Sequence, residues 1–521
     1  MKRIHSEIDK CNSDRERNFL ECRIEIERSI IFRSIVDKIV EYITIKIKTS
    51  KYLNCILRAS ESNIGKEVAM MLNRFIFTLY SIDDHKHPNF HQEFLIPPFI
   101  LHVTNEELNS PTSITYLSPL CRELVEEWGL EVSLIGEIKG FVHEMLMSYF
   151  EEITQSKLPL LQSSDTTNSK PYLLHHNEEG DEGMMWEVGY GGDVCYLNGE
   201  RLEELMRRYA PIKGKNTSKK EEDLLLDEEF IGRLFNLLLR YSTLNSSSSS
   251  LSSSGEMRYS NSGYHISLHP SLFDLFSSYL SLTISHEGFS SPLNVSSSSS
   301  SSKHKIQPSP QYFSSQYDVD KFFGSRGSFF EISHVSNLIQ DQDQDGGVVI
   351  EINPPFVEEI MVEAANKILH LLSNSSSSSS NHNIDDKTKM KKNEEEEEDL
   401  LSNEDEKMIP LSFLIVLPAW ENPISLSFQL LTSSPYFIPH SLIRINGEKK
   451  VFMSGEKHQI PIQPINEEQE QSNQSSPSSI SIQRDVHLFI LQNLCAQKKY
   501  PISNQSIQHL NHQISLFPTS S

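Results

Sequence analysis

Apolar positions in the first third of the chain recur at helical spacing. Ile24, Ile31, Ile35, Ile39 and Tyr42 stand three to seven residues apart. That spacing places them on one face of a helix over about residues 13–60 and turns Arg28, Lys38 and Glu41 outward. KEVAMMLNRFIFTLYSI (66–82) repeats the pattern, and residues 119–153 read as a helical pair hinged near Gly129. The stretch MWEVGYGGDVCYLNGERLEELMRRYAPI joins Gly-rich turn chemistry to another helix. EEFIGRLFNLLLRYSTL (228–244) is so strongly apolar that it reads as a core helix.

Further along, the period changes. LFDLFSSYLSLTISHEGFSSPLN (272–294) reads as helix, strand and turn. GGVVIEI (346–352), PLSFLIVLPAW (410–420) and HLFILQN (487–493) are short apolar runs suited to buried strands. VEEIMVEAANKILHLL (357–372) is a helix with acids in its first turn, where the helix dipole favours them. Continuous apolar strands alternating with helices predict a mostly parallel α/β sheet covered on both faces. Serine tracts at 246–254, 296–302 and 373–380 interrupt this region. They bury too little apolar surface to order their backbone and read as loops or insertions.

The pattern divides the chain into a helical domain at 1–160, a linker at 161–185 and a helical, Gly-rich continuation at 186–270. An α/β domain follows at 271–500, with disordered insertions near 295–305, 373–408 and 465–480, and then a tail at 501–521.

Charge changes this picture little. The net charge is −24 over 521 residues, which taken whole argues against a nucleic-acid partner. The acid is clustered, however, in EEEEED (394–399) and NEEQEQ (466–471), so a local basic groove stays open. The six cysteines are scattered, with no C-x-x-C pair and no zinc spacing, and fit a reducing compartment. No apolar run reaches membrane-spanning length, so no membrane partner is expected.

The candidate chemistry lies in INPPF (352–356), at the end of the GGVVIEI strand. Ligands of open α/β sheets bind outside the carboxyl ends of the strands. The Asn353 side chain and the Pro354 carbonyl are two neutral acceptors held on a stiff turn, and Phe356 offers a flat face. An exocyclic amine on an aromatic base fits: two N–H donors meet two acceptors while the ring stacks. Adenine N6 is a poor nucleophile because its lone pair is delocalised into the ring. Holding its hydrogens favours a pyramidal nitrogen aimed at an electrophilic methyl, such as one on a sulfonium, with positioning as the main contribution. Asn-Pro and Pro-Pro are also common turn signals, so the same residues read equally as a plain loop.

Asn/Asp/Ser-Pro-Pro-aromatic after a strand resembles the signature of S-adenosylmethionine-dependent amino-methyltransferases. The order GFSSPLN (288–294), FFGSRG (322–327), EINPPFVEE (351–359), PLSFLIVLPAW and HLFILQN resembles the phosphorylated CTD-interacting factor family. That resemblance implies a Rossmann-like methyltransferase domain behind a mostly α-helical one. It implies methyl transfer to N6 of the cap-adjacent 2′-O-methyladenosine of mRNA, in the nucleus with the cytoplasm as the alternative. It makes Asn353, Pro354, Pro355 and Phe356 the catalytic and S-adenosylmethionine-site residues, joined on the cofactor side by Ser291, Pro292, Asn294, Gly324 and Ser325. Glu358, Trp420, Glu421 and Arg326 fall to the substrate side, and Gly324 and Gly327 offer close backbone approach. The expected partner is capped RNA beginning with adenosine.

The chain also departs from the animal pattern. Trp128, Trp186 and Trp420 lack the spacing of a WW module, which weakens the case for binding the RNA polymerase II tail. ENPIS follows Trp420 in place of an arginine, and no G-x-G-x-x-G loop is present. Arg58, Arg207 and Arg208 are candidates for the cap's triphosphate. An N6-adenine methyltransferase on other RNA or DNA, and an inactive scaffold that holds capped RNA, remain the alternatives. No G-x-S-x-G elbow or H-E-x-x-H pair supports a hydrolase or a metal site.

Overall fold

The computed structural model describes residues 14–49, parts of 64–75 and 120–125, 130–162, 170–176, 185–209, 224–245, 266–296, 309–339, 347–375, 408–421, 423–455, 479–480 and 484–519. Most of the serine tracts and expected insertions, the basic runs 303–305 and 387–392, Gly129 and Arg58 lie outside the described residues.

Helix α1 (Asp14–Thr49) buries Ile31, Ile35, Ile39 and Ile43, as its period requires, against α2 (Val132–Gln162). Lys38 and Glu41 face out as expected. Arg28 does not: it is buried and bonds Glu25 Oε2 at 3.1 Å. The helical period assigned it outward, but a salt-bridge partner one turn back lets a cation stay inside.

Strands β1 (Tyr172–His176), β2 (Met185–Tyr190) and β3 (Asp193–Asn198) form an antiparallel meander where a linker and a helical continuation were expected. Gly191 (φ 65°) and Gly192 (φ 102°) turn β2 into β3, and both φ values need glycine. Helix α3 (Gly199–Arg208) follows, capped by the Asn198 side chain. Helix α4 (Glu228–Asn245) is as buried as its composition demands. Its Arg240 is buried and holds Glu25 of α1 (2.6 and 2.8 Å) and Asp318 (2.9 and 3.1 Å). That ion cluster ties the helical part to the loop that follows the second strand of the main sheet.

β4 (Ile266–Leu268) leads at once into α5 (Pro270–Leu280). The main sheet contains β5 (His286–Glu287), β6 (Gln311–Tyr312), β7 (Val348–Ile352), β8 (Leu411–Pro418), β9 (Ile443–Ile445) and β12 (Val486–Gln492). β10 (Phe452–Ser454) and β11 (Ser479–Ile480) instead join β4 in a small antiparallel sheet. Helix α6 (Glu358–Ser373) follows β7, α7 (Leu426–Thr432) follows β8, and α8 (Leu494–Lys499) and α9 (Asn504–Ser515) follow β12.

The six-stranded order is β6-β5-β7-β8-β12-β9. β6, β5, β7 and β8 run parallel, whereas β12 is antiparallel to both β8 and β9. The sheet is therefore mixed, and the antiparallel strand is the last in sequence. Alternation splits the side chains of β7: Val348, Ile350 and Ile352 face α6, while Val349 faces α5 and α9. Both faces are covered, as the unbroken apolar strands require. Residues 501–521, read as a tail, contain α9, whose Ile507, Leu510 and Ile514 pack onto the sheet.

From β5 the chain moves outward to β6, then returns past β5 to place β7 on the other side. The β5/β7 boundary is thus a topological switch point, the place where an open α/β sheet forms a crevice at the carboxyl ends of its strands.

Candidate active site at the switch point

β7 ends at Ile352, and Asn353 is the next residue. Pro354 and Pro355 lack N–H groups and stop the strand ladder. The chain closes the turn by donating Val357 N–H to the Pro355 carbonyl at 2.7 Å, and α6 starts at Glu358. Asn353 is 8% exposed, and its Nδ2 donates to the Ile266 carbonyl of β4 at 3.1 Å. Among the described residues, none donates to Asn353 Oδ1 and no backbone N–H donates to the Pro354 carbonyl. Phe356 is half-buried and touches the apolar clusters of both sheet faces. Two acceptors and one ring therefore stand together at the carboxyl end of β7.

β5 ends beside them. Glu287 is in register with Glu351 across the parallel pair, and both are buried. Glu287 accepts from Ser290 Oγ, and from the Ser296 N–H at 2.8 Å. Burial raises its pKa, opposed by the Ser290 and Ser296 hydrogen bonds and the Arg208 charge. Burial likewise raises Glu351, and the neighbouring Glu287 charge adds to it. Gly288 donates to the Glu351 carbonyl at 2.8 Å, and a Cβ there would lie 2.5 Å from Ile352 Cδ1. The two strand ends are close because position 288 has no side chain. The pairing of Glu287 with Glu351 depends on strand register. Among the described residues no cluster of three or more His, Cys, Asp or Glu could hold a metal ion.

The SSPLN turn after β5 is bonded largely to itself. Ser291 gives its N–H (2.6 Å) and its hydroxyl (3.0 Å) to Asn294 Oδ1, and accepts from Leu293 N–H at 3.2 Å. Arg201 of α3 donates to the carbonyls of Val295 (2.9 Å) and Pro292 (3.4 Å). Arg201 is buried, which lowers its pKa to about 10 against the opposing charges of Glu204 and Glu287. Arg201, Ser267, Asn294, Ser296 and Met453 line a small cleft on this side. Asn294 therefore meets the cleft, while Ser291 and Pro292 shape the turn that presents it.

Gly324 and Gly327 have φ of 92° and 100°. A Cβ on Gly324 would meet nothing closer than 3.9 Å, so its glycine serves left-handed backbone and not a close approach. Ser325 bonds Ser314 Oγ at 2.6 Å, and Arg326 is held by Gln311 and by the Asn337 carbonyl at 2.7 Å. This loop flanks the edge strand β6, with β5 between it and β7.

The residues expected on the substrate side are each packed or bonded within the protein. Glu358 Oε1 accepts from Ser425 Oγ (3.1 Å) and Ser427 N–H (3.0 Å) and thereby secures the start of α7. Trp420 packs against the apolar cluster under α6, and Glu421 pairs with Arg444 at 2.6 Å on the surface. Arg207 pairs with Glu204 at 2.7 Å. Arg208 bonds Glu204 and the carbonyls of Ser296 and Pro310 at 3.2 Å, where the sequence reading offered it to phosphate.

Residues 201–382 match the family model described as "Phosphorylated CTD interacting factor 1 WW domain". This match supports assigning these residues to the phosphorylated CTD interacting factor family. The matched residues run from Arg201 through the SSPLN turn and Asn353–Phe356 into α6, and stop before Trp420. They contain no tryptophan, so the family description does not mark a tryptophan-bearing WW module at these residues. Among curated proteins none matches the chain. No helix among the described residues is long and apolar enough to cross a membrane.

Proposed function

We propose that the chain is an S-adenosylmethionine-dependent methyltransferase acting on N6 of the cap-adjacent 2′-O-methyladenosine of mRNA. One observation carries the reading: Asn353 and Pro354 hold two acceptors that take no donor from the described residues, at the carboxyl end of a switch-point strand beside the Phe356 ring. A mixed sheet with a buried antiparallel strand last in sequence supports a Rossmann-like methyltransferase domain.

The site suits the cofactor. The cleft beside the SSPLN turn presents a buried guanidinium, Arg201, and a side-chain amide, Asn294, to a ligand with a carboxylate and polar groups. Asn353, Pro354, Phe356 and Asn294 would hold the cofactor, which supplies a sulfonium methyl. Asn353 Oδ1 and the Pro354 carbonyl accept the two N6 hydrogens and turn the nitrogen lone pair outward. Phe356 stacks the base, which fixes the in-line approach. One of the two N6 protons is lost to solvent after transfer, since the motif contains no base.

The family description names interaction with a phosphorylated CTD, which is consistent with a partner in the transcription machinery. A second reading is an adenine N6-methyltransferase that does not require the cap. It is favoured by Glu358, Glu421 and Arg326, each of which is bonded within the protein. Incubation with methyl-labelled cofactor and short RNAs, capped or uncapped and starting with A or G, separates the two. Label confined to capped, A-starting RNA supports the first reading. Label in uncapped RNA selects the second, and no label in any RNA refutes both.

A further inference from the structure

A side-chain amide fits the same space in two orientations, with its nitrogen and oxygen exchanged. At position 353 the choice is made by a backbone group on a different sheet. The Ile266 carbonyl lies 3.1 Å from Asn353 Nδ2. With the amide reversed, two acceptor oxygens would face each other at hydrogen-bond distance in a site 8% exposed. We infer that the Ile266 carbonyl orients the Asn353 amide, so that position 353 of this chain requires a donor and rejects a carboxylate. The inference deepens the methyl-transfer reading and rests on it for the role of Oδ1.

The carbonyl is well placed to act as a fixed reference. β4 is paired to β10, with Ile266 opposite Ser454 and Leu268 opposite Phe452. The His269 N–H donates to the Val451 carbonyl at 2.8 Å, and Pro270 begins α5 directly after. Leu268 and Phe452 are buried in the same cluster as Val349 of β7. The small sheet is therefore packed against the main one, and its edge supplies the acceptor that turns Nδ2 inward and leaves Oδ1 for the substrate amine.

A carboxylate at 353 would meet the Ile266 carbonyl with no hydrogen to share. Protonation restores a donor, so an aspartate there is expected to bind its proton well above the usual carboxylate value of about 3.9. The ionisable groups on the surrounding elements are Glu351 on the same strand, Glu287 on β5, Arg201 on α3, Glu358 and Glu359 at the head of α6, and His269 after β4. All are present in wild type and variants alike, so differences between the proteins at each pH isolate position 353.

The test compares wild type, Asn353→Asp and Asn353→Ala between about pH 8 and about pH 5.5. Melting temperature is the first readout. Asn353→Ala should sit below wild type by a constant amount. Asn353→Asp should match or fall below Asn353→Ala at the alkaline end and approach wild type at the acid end. The second readout is methyl transfer to capped, A-starting RNA. Above the carboxyl's pKa, the ratio of Asn353→Asp to wild type should rise on the order of tenfold for each pH unit by which the pH is lowered. Parallel melting curves for the two variants at every pH, or wild-type stability of Asn353→Asp at alkaline pH, would overturn the inference. If the melting pattern appears but wild type transfers no methyl, the orientation stands and the methyl-transfer reading fails. If wild type transfers methyl and the melting gap is flat, the reverse holds.

Discussion

Glu287 of β5 and Glu351 of β7 lie in register on adjacent parallel strands, both buried, at the boundary where the sheet reverses its strand order. Burial holds both carboxyls above their ordinary pKa, and the Glu287 charge raises Glu351 further. For an acid whose folded pKa is raised, stability is fully present below the unfolded value, about 4.3 for Glu, and is lost as pH rises through the folded value. The wild-type protein should therefore lose stability on going from weakly acid to alkaline solution. Glu351→Gln removes one of the two buried carboxyls and should flatten that decline. Thermal unfolding at several pH values checks this; equal slopes for wild type and variant would contradict it.

Gly288 keeps the two strand ends together. A Cβ there would lie 2.5 Å from Ile352 Cδ1 and 3.2 Å from the Glu351 carbonyl. The isoleucine tip can rotate away but the strand backbone cannot follow freely. Gly288→Ala should cost about 1–3 kcal/mol, as over-packing does, and should lower methyl transfer by displacing Asn353. Urea denaturation paired with the transfer assay reads both effects.

Arg240 is buried with Glu25 from α1 and Asp318 from the loop beyond β6. Removing one partner of a buried ion cluster leaves charge without compensation. Arg240→Ala should destabilise by about 3–5 kcal/mol, measured by urea denaturation. The same loop carries Asp320, whose carboxyl is pushed up to about 8 by burial and accepts from the Tyr241 phenol hydroxyl of α4 at 2.6 Å.

Much of the motif was legible along the chain and its surroundings were not. VVIEI reads as a buried strand from its β-branched residues, and Asn353-Pro354-Pro355 must end it because two prolines remove consecutive donors. The Glu287–Glu351 pair and the Ile266 contact depend on register between segments far apart in sequence, which local pattern does not encode. β4, β10 and β11 are two or three residues long, too short for a period to appear. α9 carries Ile507, Leu510 and Ile514 at helical spacing, but its Asn, Gln and Ser content imitates a solvated tail. Arg208 looked available for phosphate, and Arg326 for substrate, because sequence shows charge and not the carbonyls that already accept from it.

Glu358 shows how an expected substrate contact divides into two roles. Its Oε1 receives Ser425 Oγ and the Ser427 N–H at the start of α7. Glu358→Ala should lower stability by about 1–2 kcal/mol, the cost of a lost cap. Glu358→Gln keeps an acceptor and should melt close to wild type. Differential scanning fluorimetry of the two variants decides this, and an equal loss in both would contradict the capping role.

The most direct test of the account is methyl transfer by wild type and Asn353→Ala to capped RNA beginning with 2′-O-methyladenosine, with circular dichroism confirming that both proteins are folded. The account predicts transfer to N6 by wild type and a loss on the order of 10²–10³-fold or more in the folded variant, the scale on which removing one positioned polar group acts. Undiminished transfer by Asn353→Ala would contradict it.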